Sequence, residues 1–294
     1  MEPIKKLVLL GTGLISGSFA LALKRAKLVE HVVGVGRSPE NLQRALELRV
    51  IDAASQDAAS AVIGADFVFI GTPVGQMGAL MQAIGPNLAH GCVVCDGGST
   101  KQDVCALFRA HLGGHLAYCV PAHPIAGSEL SGASAATYGL YEGRRVVLAP
   151  FAETDLSVIE RVKALWQACG ALVYEMPAAE HDGIFAAVSH VPHLLAYAYM
   201  NAVLDKPNAA LCLEFAATGF RDFTRIAGSH PDMWRDIALA NRDAVLADLR
   251  NCAARIAEVT VLVERADAEA LRSFFERASD ARSAWGKTSS GFRK

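Results

Sequence analysis

The sequence predicts an α/β fold over residues 1–176, built on a parallel, doubly wound sheet, followed by an all-α domain over residues 177–294. Three observations carry that expectation. Short apolar runs alternate with helical stretches up to residue 176. Most of those runs are continuously apolar, as strands covered on both faces are. After Pro177 the chain turns Ala- and Leu-rich with helical periodicity, and no run there reads as a strand.

Taken in order, KLVLLG, HVVGVG, DFVFIG, CVVCDGG, LAYCV, RRVVLAP and ALVYEM read as strands, because Gly, Pro or Asp bounds most of them. SGSFALALKRA and LSVIERVKALWQACG carry helical patterns between strands. Beyond residue 177, AAEHDGIFAAVSHVPHLLAYAYMNAVL, AALCLEFAATGF and the long run from Asp232 to Ala278 read as helices. The tail from Ser279 is polar and is expected to fray.

A chain of 294 residues suggests about two domains, and its 52% apolar content is enough for a sizeable core. Net charge is −2 and no basic run stands out, which argues against a nucleic-acid or membrane-surface partner. Seven scattered cysteines do not form a secreted disulfide framework and suggest a reducing compartment. Cys92 and Cys95 have redox spacing, but CVVC reads as a buried strand and no second CxxC completes a zinc site. The uncharged run from Leu7 to Leu23 resembles a signal peptide or a short membrane span. It falls short of the roughly 18–20 residues a span needs, and its glycines Gly11, Gly13 and Gly17 have a better explanation. A cytoplasmic protein is therefore expected.

That explanation is a strand, a tight turn and a helix in KKLVLLGTGLISGSFALALK. Gly11 and Gly13 fill the first two positions of a dinucleotide fingerprint, with Thr12, Leu14 and Ile15 completing the turn. The third position is Ser16, followed by Gly17, so small residues preserve close packing. This predicts a Rossmann-type domain whose helix N-terminus takes a pyrophosphate. The second strand ends in Gly36, Arg37 and Ser38, where an NAD-binding protein usually offers an acid. A guanidinium and a hydroxyl suit a 2′-phosphate, which predicts NADP over NAD, with NAD still possible. The alternative is that Arg37 is a solvated loop residue. Thr72 and Pro73 end the third strand and are expected to line the ligand crevice. Ser99, in DGGSTK, reads equally as an N-cap or as a catalytic and cofactor-contacting group.

AHPIAGSE follows the fifth strand. His123 sits there beside Pro124 among small residues, placed to take a hydroxyl proton during hydride transfer. In SHVPH, His190 and His193 are i, i+3 and share a helix face, with Asp182 on roughly the same face. No HExxH accompanies them, so a polar seam is expected rather than a metal site. GFRDFTRIAGSHPDMWRD sets Arg221, Arg225 and Arg235 among aromatics. Arginine there suits carboxylate binding, or an ion pair with Asp222, Asp232 or Asp236, and spacing alone does not choose among the three.

GTGLISGS, DGGSTK, AHPIAGSE, EHDGIFAAVSHVPH and GFRDFTRIAGSHPDMW occur in this order. Together, over nearly the whole chain, they closely resemble the prephenate/arogenate dehydrogenase family of tyrosine biosynthesis. The resemblance implies oxidation of a cyclohexadienyl ring hydroxyl with a nicotinamide cofactor, loss of carbon dioxide and aromatisation to 4-hydroxyphenylpyruvate or tyrosine. It implies that His123 of HPxAG accepts the hydroxyl proton and that Ser99 of DxGSxK supports that network. It places His193 in the substrate pocket, selects Arg225 as the carboxylate clamp, and matches Ser128, Glu129, Asp182, His190 and Trp234 to positions lining or gating the pocket. It also implies a homodimer made by the helical domain. The chain departs from the pattern at Ser16 and at Gly36–Arg37–Ser38, the latter resembling the NADP-using branch. After Ala278 about 16 residues remain, too few for a further regulatory or mutase domain. Two alternatives stand beside this reading. A β-hydroxyacid-type dehydrogenase would use a lysine in the helical domain, where residues 177–278 hold only Lys206. A non-catalytic NADP-binding sensor of the same fold would lack the proton acceptor or the clamp. Prephenate and arogenate are not distinguished.

Overall fold

The computed structural model describes residues 1–127 and 130–288. It opens with β1 (Ile4–Leu10), α1 (Leu14–Arg25), β2 (Val29–Val35), α2 (Pro39–Glu47), β3 (Ala53–Ser55), α3 (Ala58–Ala61), β4 (Phe67–Ile70) and α4 (Val74–Ile84). There follow β5 (Val93–Asp96), α5 (Gln102–Leu112), β6 (Cys119–Val120), β7 (Ala122–Pro124), β8 (Arg145–Leu148), α6 (Leu156–Ala168) and β9 (Leu172–Glu175). Six strands form a parallel sheet in the order β3-β2-β1-β4-β5-β6. Alternation along β1 decides the layers. Leu7 and Leu9 enter one core with Phe19 of α1, Leu42 of α2 and Trp166 of α6. Val8 and Leu10 enter the other with Ala58 of α3, Met77 of α4 and Phe108 of α5. Both faces are covered, which is why the strands read as unbroken apolar runs.

The α/β fold with a parallel sheet stands, but two of the expected strands do not extend that sheet. RRVVLAP and ALVYEM form β8 and β9 of a separate three-stranded sheet, where β7 pairs antiparallel with β8 and β8 parallel with β9. Pro121 is the physical reason. It has no N–H for the ladder, so β6 stops at Val120, and the chain crosses to the second sheet as β7. The Ala122 N–H is instead taken by the Asp96 carboxylate, 2.9 Å away. Two short strands, β3 and β7, were not legible as runs.

From residue 178 the described chain is helical: α7 (Ala178–Phe185), a π-turn (Ala186–His190), α8 (Val191–Leu204), α9 (Ala209–Glu214), α10 (Thr218–Thr224), a tight turn (Arg225–Gly228) and α11 (Pro231–Ala240). Trp234 and Ile237 of α11 join the core under α4, so these helices and both sheets make one compact unit, Met1–Asn241. A second unit, Arg242–Lys294, contains α12 (Arg242–Glu264) and α13 (Ala268–Thr288). Its helices leave Ile256, Val263, Phe275 and Trp285 exposed.

Candidate active site

Strand order reverses between β1 and β4, which makes the carboxyl ends of these two strands the crevice of a doubly wound sheet. Gly11 leaves β1 with φ +92°, and a Cβ there would press on Thr72 Cγ2 at 3.0 Å, so glycine is required twice over. Gly13 caps α1 with no side-chain acceptor, its missing Cβ faces open space, and the first turn carries no acid. The leading N–H groups of α1 are thus left for an anion. Ser16 replaces the third fingerprint glycine because Gly71 makes room for it: a Cβ at Gly71 would collide with Ser16 Oγ. The Thr72 hydroxyl is buried at this crevice with no partner among the described residues, and Pro73 caps α4 at its rim. An uncapped helix start, an open glycine face and an orphaned hydroxyl fit a dinucleotide. Leu14 and Ile15 begin α1 half-buried, and the Ile15 carbonyl accepts from Tyr141 Oη at 2.5 Å. Thr12 is buried with its Oγ1 accepting from Asn41 Nδ2 at 2.8 Å.

At the end of β2, Arg37 is exposed. Ser38 is the N-cap of α2, accepting from the Asn41 N–H at 3.1 Å and donating to Glu40 Oε2 at 2.7 Å. Gly36, Arg37 and Ser38 hold no acid, but the next turn does. Glu40 supplies one from the first turn of α2, and it claims the hydroxyl proton assigned to a phosphate.

The DGGSTK loop is fixed by buried charge. Asp96 accepts from Lys101 Nζ at 2.6 Å, the Gly98 N–H at 2.7 Å and the Ala122 N–H at 2.9 Å, and both charged side chains are fully buried. Burial pushes the Asp96 carboxyl up, while Lys101 and the two N–H bonds pull it back. Ser99 is not the N-cap of α5. The helix begins at Gln102, and the acceptor for its leading N–H groups is Asp182 of α7, at 2.7 Å from the Lys101 nitrogen and 2.8 Å from the Gln102 nitrogen. Ser99 itself is half-buried, and no hydrogen bond involves its hydroxyl among the described residues.

His123 lies at the centre of β7, opposite Val147. Its Nδ1 is 2.8 Å from His181 Nε2, and His181 Nδ1 is 2.8 Å from Asp182 Oδ1. Phe185 packs against both rings. Burial first, then the charges of His181, Lys101 and His190, hold His123 well below the ordinary histidine value. Burial works to raise Asp182, but the His181 bond and the two N–H bonds outweigh it and keep the carboxylate ionised. Neither His181 nor the Asp96–Lys101 pair emerges from pattern reading. Adjacent helix positions do not share a face, so the HD pair in EHDG gives no periodic signal.

His190 is buried. Asn241 Nδ2 donates to its Nδ1 at 3.1 Å, the Ser99 carbonyl accepts from the ring, and burial pushes it down to about 4. His193 stacks on Trp234 with ring centroids 3.6 Å apart, and its Nδ1 donates to the Ser189 carbonyl at 2.9 Å. That bond leaves Nε2 as an acceptor on the neutral ring, so His193 donates to an anion only when protonated. Burial and the charge of Arg225 both lower its pKa. Of the other arginines, Arg235 is paired with Asp232 at 2.9 Å and Asp236 at 2.7 Å, and Arg221 is exposed beside Asp222. Ser128 and Glu129 lie outside the described residues.

A dinucleotide cradle at the switch point and a half-buried histidine on β7 whose surroundings favour the neutral ring define a class: a nicotinamide-nucleotide-dependent oxidoreductase. Comparison with known families makes this specific. The profile for the prephenate dehydrogenase nucleotide-binding domain matches residues 19–175, and that for the prephenate dehydrogenase dimerization domain matches residues 177–277. The chain belongs to the prephenate dehydrogenase family. It is 38% identical to prephenate dehydrogenase of Bacillus subtilis over 96% of this chain and 76% of that one. It is 32% identical to cyclohexadienyl dehydrogenase of Zymomonas mobilis over 96% of both. Among solved structures, prephenate dehydrogenase from A. aeolicus in complex with hydroxyphenyl propionate and NAD+ superposes with a TM-score of 0.88 at 31% identity, covering 95% of this chain and 98% of that one.

Proposed function

We propose that this protein is a prephenate and/or arogenate dehydrogenase, oxidising and decarboxylating a cyclohexadienyl substrate in tyrosine formation. The observation that carries the proposal is the placing of His123: half-buried at the centre of β7, with Nδ1 engaged 2.8 Å from His181 and surroundings that favour the neutral ring, so that Nε2 is left to accept a proton. A nicotinamide dinucleotide, when bound, accepts the hydride from the ring carbon that bears the hydroxyl. His123 Nε2 takes the hydroxyl proton, the ring carboxylate leaves as carbon dioxide, its bonding pair completes the aromatic ring, and the protonated His123 returns the proton to the resulting phenolate oxygen. Aromatisation drives the step, so the protein's work is orientation and one base. Arg225 clamps a substrate carboxylate with its planar fork. His193, Trp234 and His190 bound the same region, and Ser99 of the DGGSTK loop meets His190 through its carbonyl. The backbone of Gly11, Thr12 and Gly13, the start of α1 at Leu14 and Ile15, and Thr72 with Pro73 hold the dinucleotide.

The cofactor is NADP in preference to NAD, on the strength of Arg37. Glu40 and its hold on Ser38 oppose that preference, so NAD is also used. We place residues 177–294 as the substrate and dimerisation domain of a homodimer, supported by the apolar side chains that α12 and α13 leave exposed. We place the protein in the cytoplasm: all seven cysteines are free, and no described helix is long and apolar enough to cross a membrane. The test pairs prephenate or arogenate with NADP or NAD and follows the absorbance of reduced cofactor. Turnover with at least one pair is expected, and the better substrate names the activity. No turnover by a folded protein that still binds NADP would overturn the assignment in favour of a sensor.

A further inference from the structure

We propose that His181 is a positioning residue that, anchored by Asp182, fixes the tautomer of His123 and so makes its Nε2 the reactive base. The inference rests on the dehydrogenase reading for its consequence, but its geometry stands alone. Asp182 Oδ1 is an ionised acceptor, so the proton between it and His181 Nδ1 belongs to the histidine. A neutral His181 then presents a lone pair at Nε2. The contact of 2.8 Å to His123 Nδ1 is a hydrogen bond only if His123 carries its proton on Nδ1. By elimination His123 Nε2 is unprotonated. The opposite arrangement needs a cationic His181, which its burial and the nearby charge of Lys101 disfavour. The second nitrogen of a reacting histidine is the place where hydrogen bonding selects the tautomer.

Asp182 does more than hold His181. The same carboxylate receives the Lys101 and Gln102 N–H groups at the start of α5. One side chain therefore couples the loop that carries Ser99 to the ring that takes the proton, and α7 sets the register of both. That explains a buried histidine with no opening of its own, His181, placed between a base and a carboxylate.

The test is nitrogen NMR of histidine-labelled protein, combined with His181→Leu and His181→Gln. In the wild type, His123 is expected to show a protonated Nδ1 and an unprotonated Nε2. Leucine removes the acceptor, so the tautomer signature is expected to change and kcat/KM to fall about 10²-fold. Glutamine can accept from His123 through its carbonyl and donate to Asp182 through its amide. It is expected to restore the wild-type signature and to recover about tenfold or more of the rate lost in the leucine variant. A wild-type His123 protonated on Nε2 would overturn the proposal, whether or not the leucine variant folds. So would a folded leucine variant that keeps both signature and rate. Failure of the wild type to turn over any cyclohexadienyl substrate would instead sink the dehydrogenase reading, and the NMR result would still decide the tautomer.

Discussion

Replacing Lys101 with methionine isolates the buried ion pair that locks the DGGSTK loop. In the native fold Asp96 and Lys101 are fully buried and meet at 2.6 Å, and Asp96 also receives the Gly98 and Ala122 N–H groups. Methionine matches the length of the lysine stem, so the change removes a charge while leaving little void. The Asp96 carboxylate then keeps two N–H bonds and loses its counterion. Breaking one partner out of a buried pair destabilises by about 3–5 kcal/mol, because the remaining charge is uncompensated. The carboxylate escapes part of that penalty by taking up a proton. In the variant the folded state then binds one more proton than the unfolded chain, between an unfolded pKa of about 3.9 and the raised folded value. Burial already raises Asp96 in the wild type, so stability of the variant relative to wild type falls as pH rises between the wild-type folded value and the variant's higher one, by up to about 1.4 kcal/mol per pH unit. Urea denaturation at several pH values measures this, and Asp96→Asn combined with Lys101→Met is expected to recover much of the loss. A penalty below about 1 kcal/mol near neutral pH, or one independent of pH, would refute the reasoning.

Three other predictions follow from the same contacts. Asp182→Ala leaves two N–H groups of α5 and the His181 ring without their acceptor; a loss of about 3–5 kcal/mol in chemical denaturation is expected, and a loss under about 1 kcal/mol would contradict the capping role. His190 is held at about 4 in the fold against an ordinary 6.5, so the unfolded chain binds the extra proton between those values. Stability is expected to fall by about 3 kcal/mol as pH drops through that window, and His190→Gln is expected to flatten that slope in pH-dependent melting. Glu40→Gln removes the acid at the end of β2; the ratio of kcat/KM for NADP over NAD is expected to rise about threefold or more, and an unchanged ratio would place Glu40 outside cofactor selection.

The strands of the main sheet other than the short edge strand β3 were legible because the sheet is covered on both faces and each carries an apolar run. The second sheet was not, because its separation depends on one missing N–H at Pro121 and on a long-range bond from Ala122 to Asp96. The glycine turn was legible as chemistry. Its third position was readable only as "small", since the partner that makes Ser16 fit is Gly71, just past the end of β4. Ser99 could not be resolved between cap and catalyst, because the cap of α5 comes from Asp182, 81 residues from Lys101 in sequence. Local charge did decide Arg235, whose acids lie one and three residues away. Arg225 needed the fold to bring its charge within range of His193. His181 stayed invisible for the same reason: its two partners are an adjacent residue and a strand 58 residues earlier. The NADP expectation took the end of β2 as free of acid, yet Glu40 lies just inside α2, where a helix start ordinarily carries an acid.

The most direct measurement of the central claim is the steady-state and binding comparison of His123→Gln with wild type. If His123 Nε2 takes the hydroxyl proton, kcat/KM for the better substrate falls by about 10³-fold, while the dissociation constant of the dinucleotide stays within about twofold. A folded His123→Gln protein that keeps kcat/KM within about tenfold of wild type would contradict the assignment of the base.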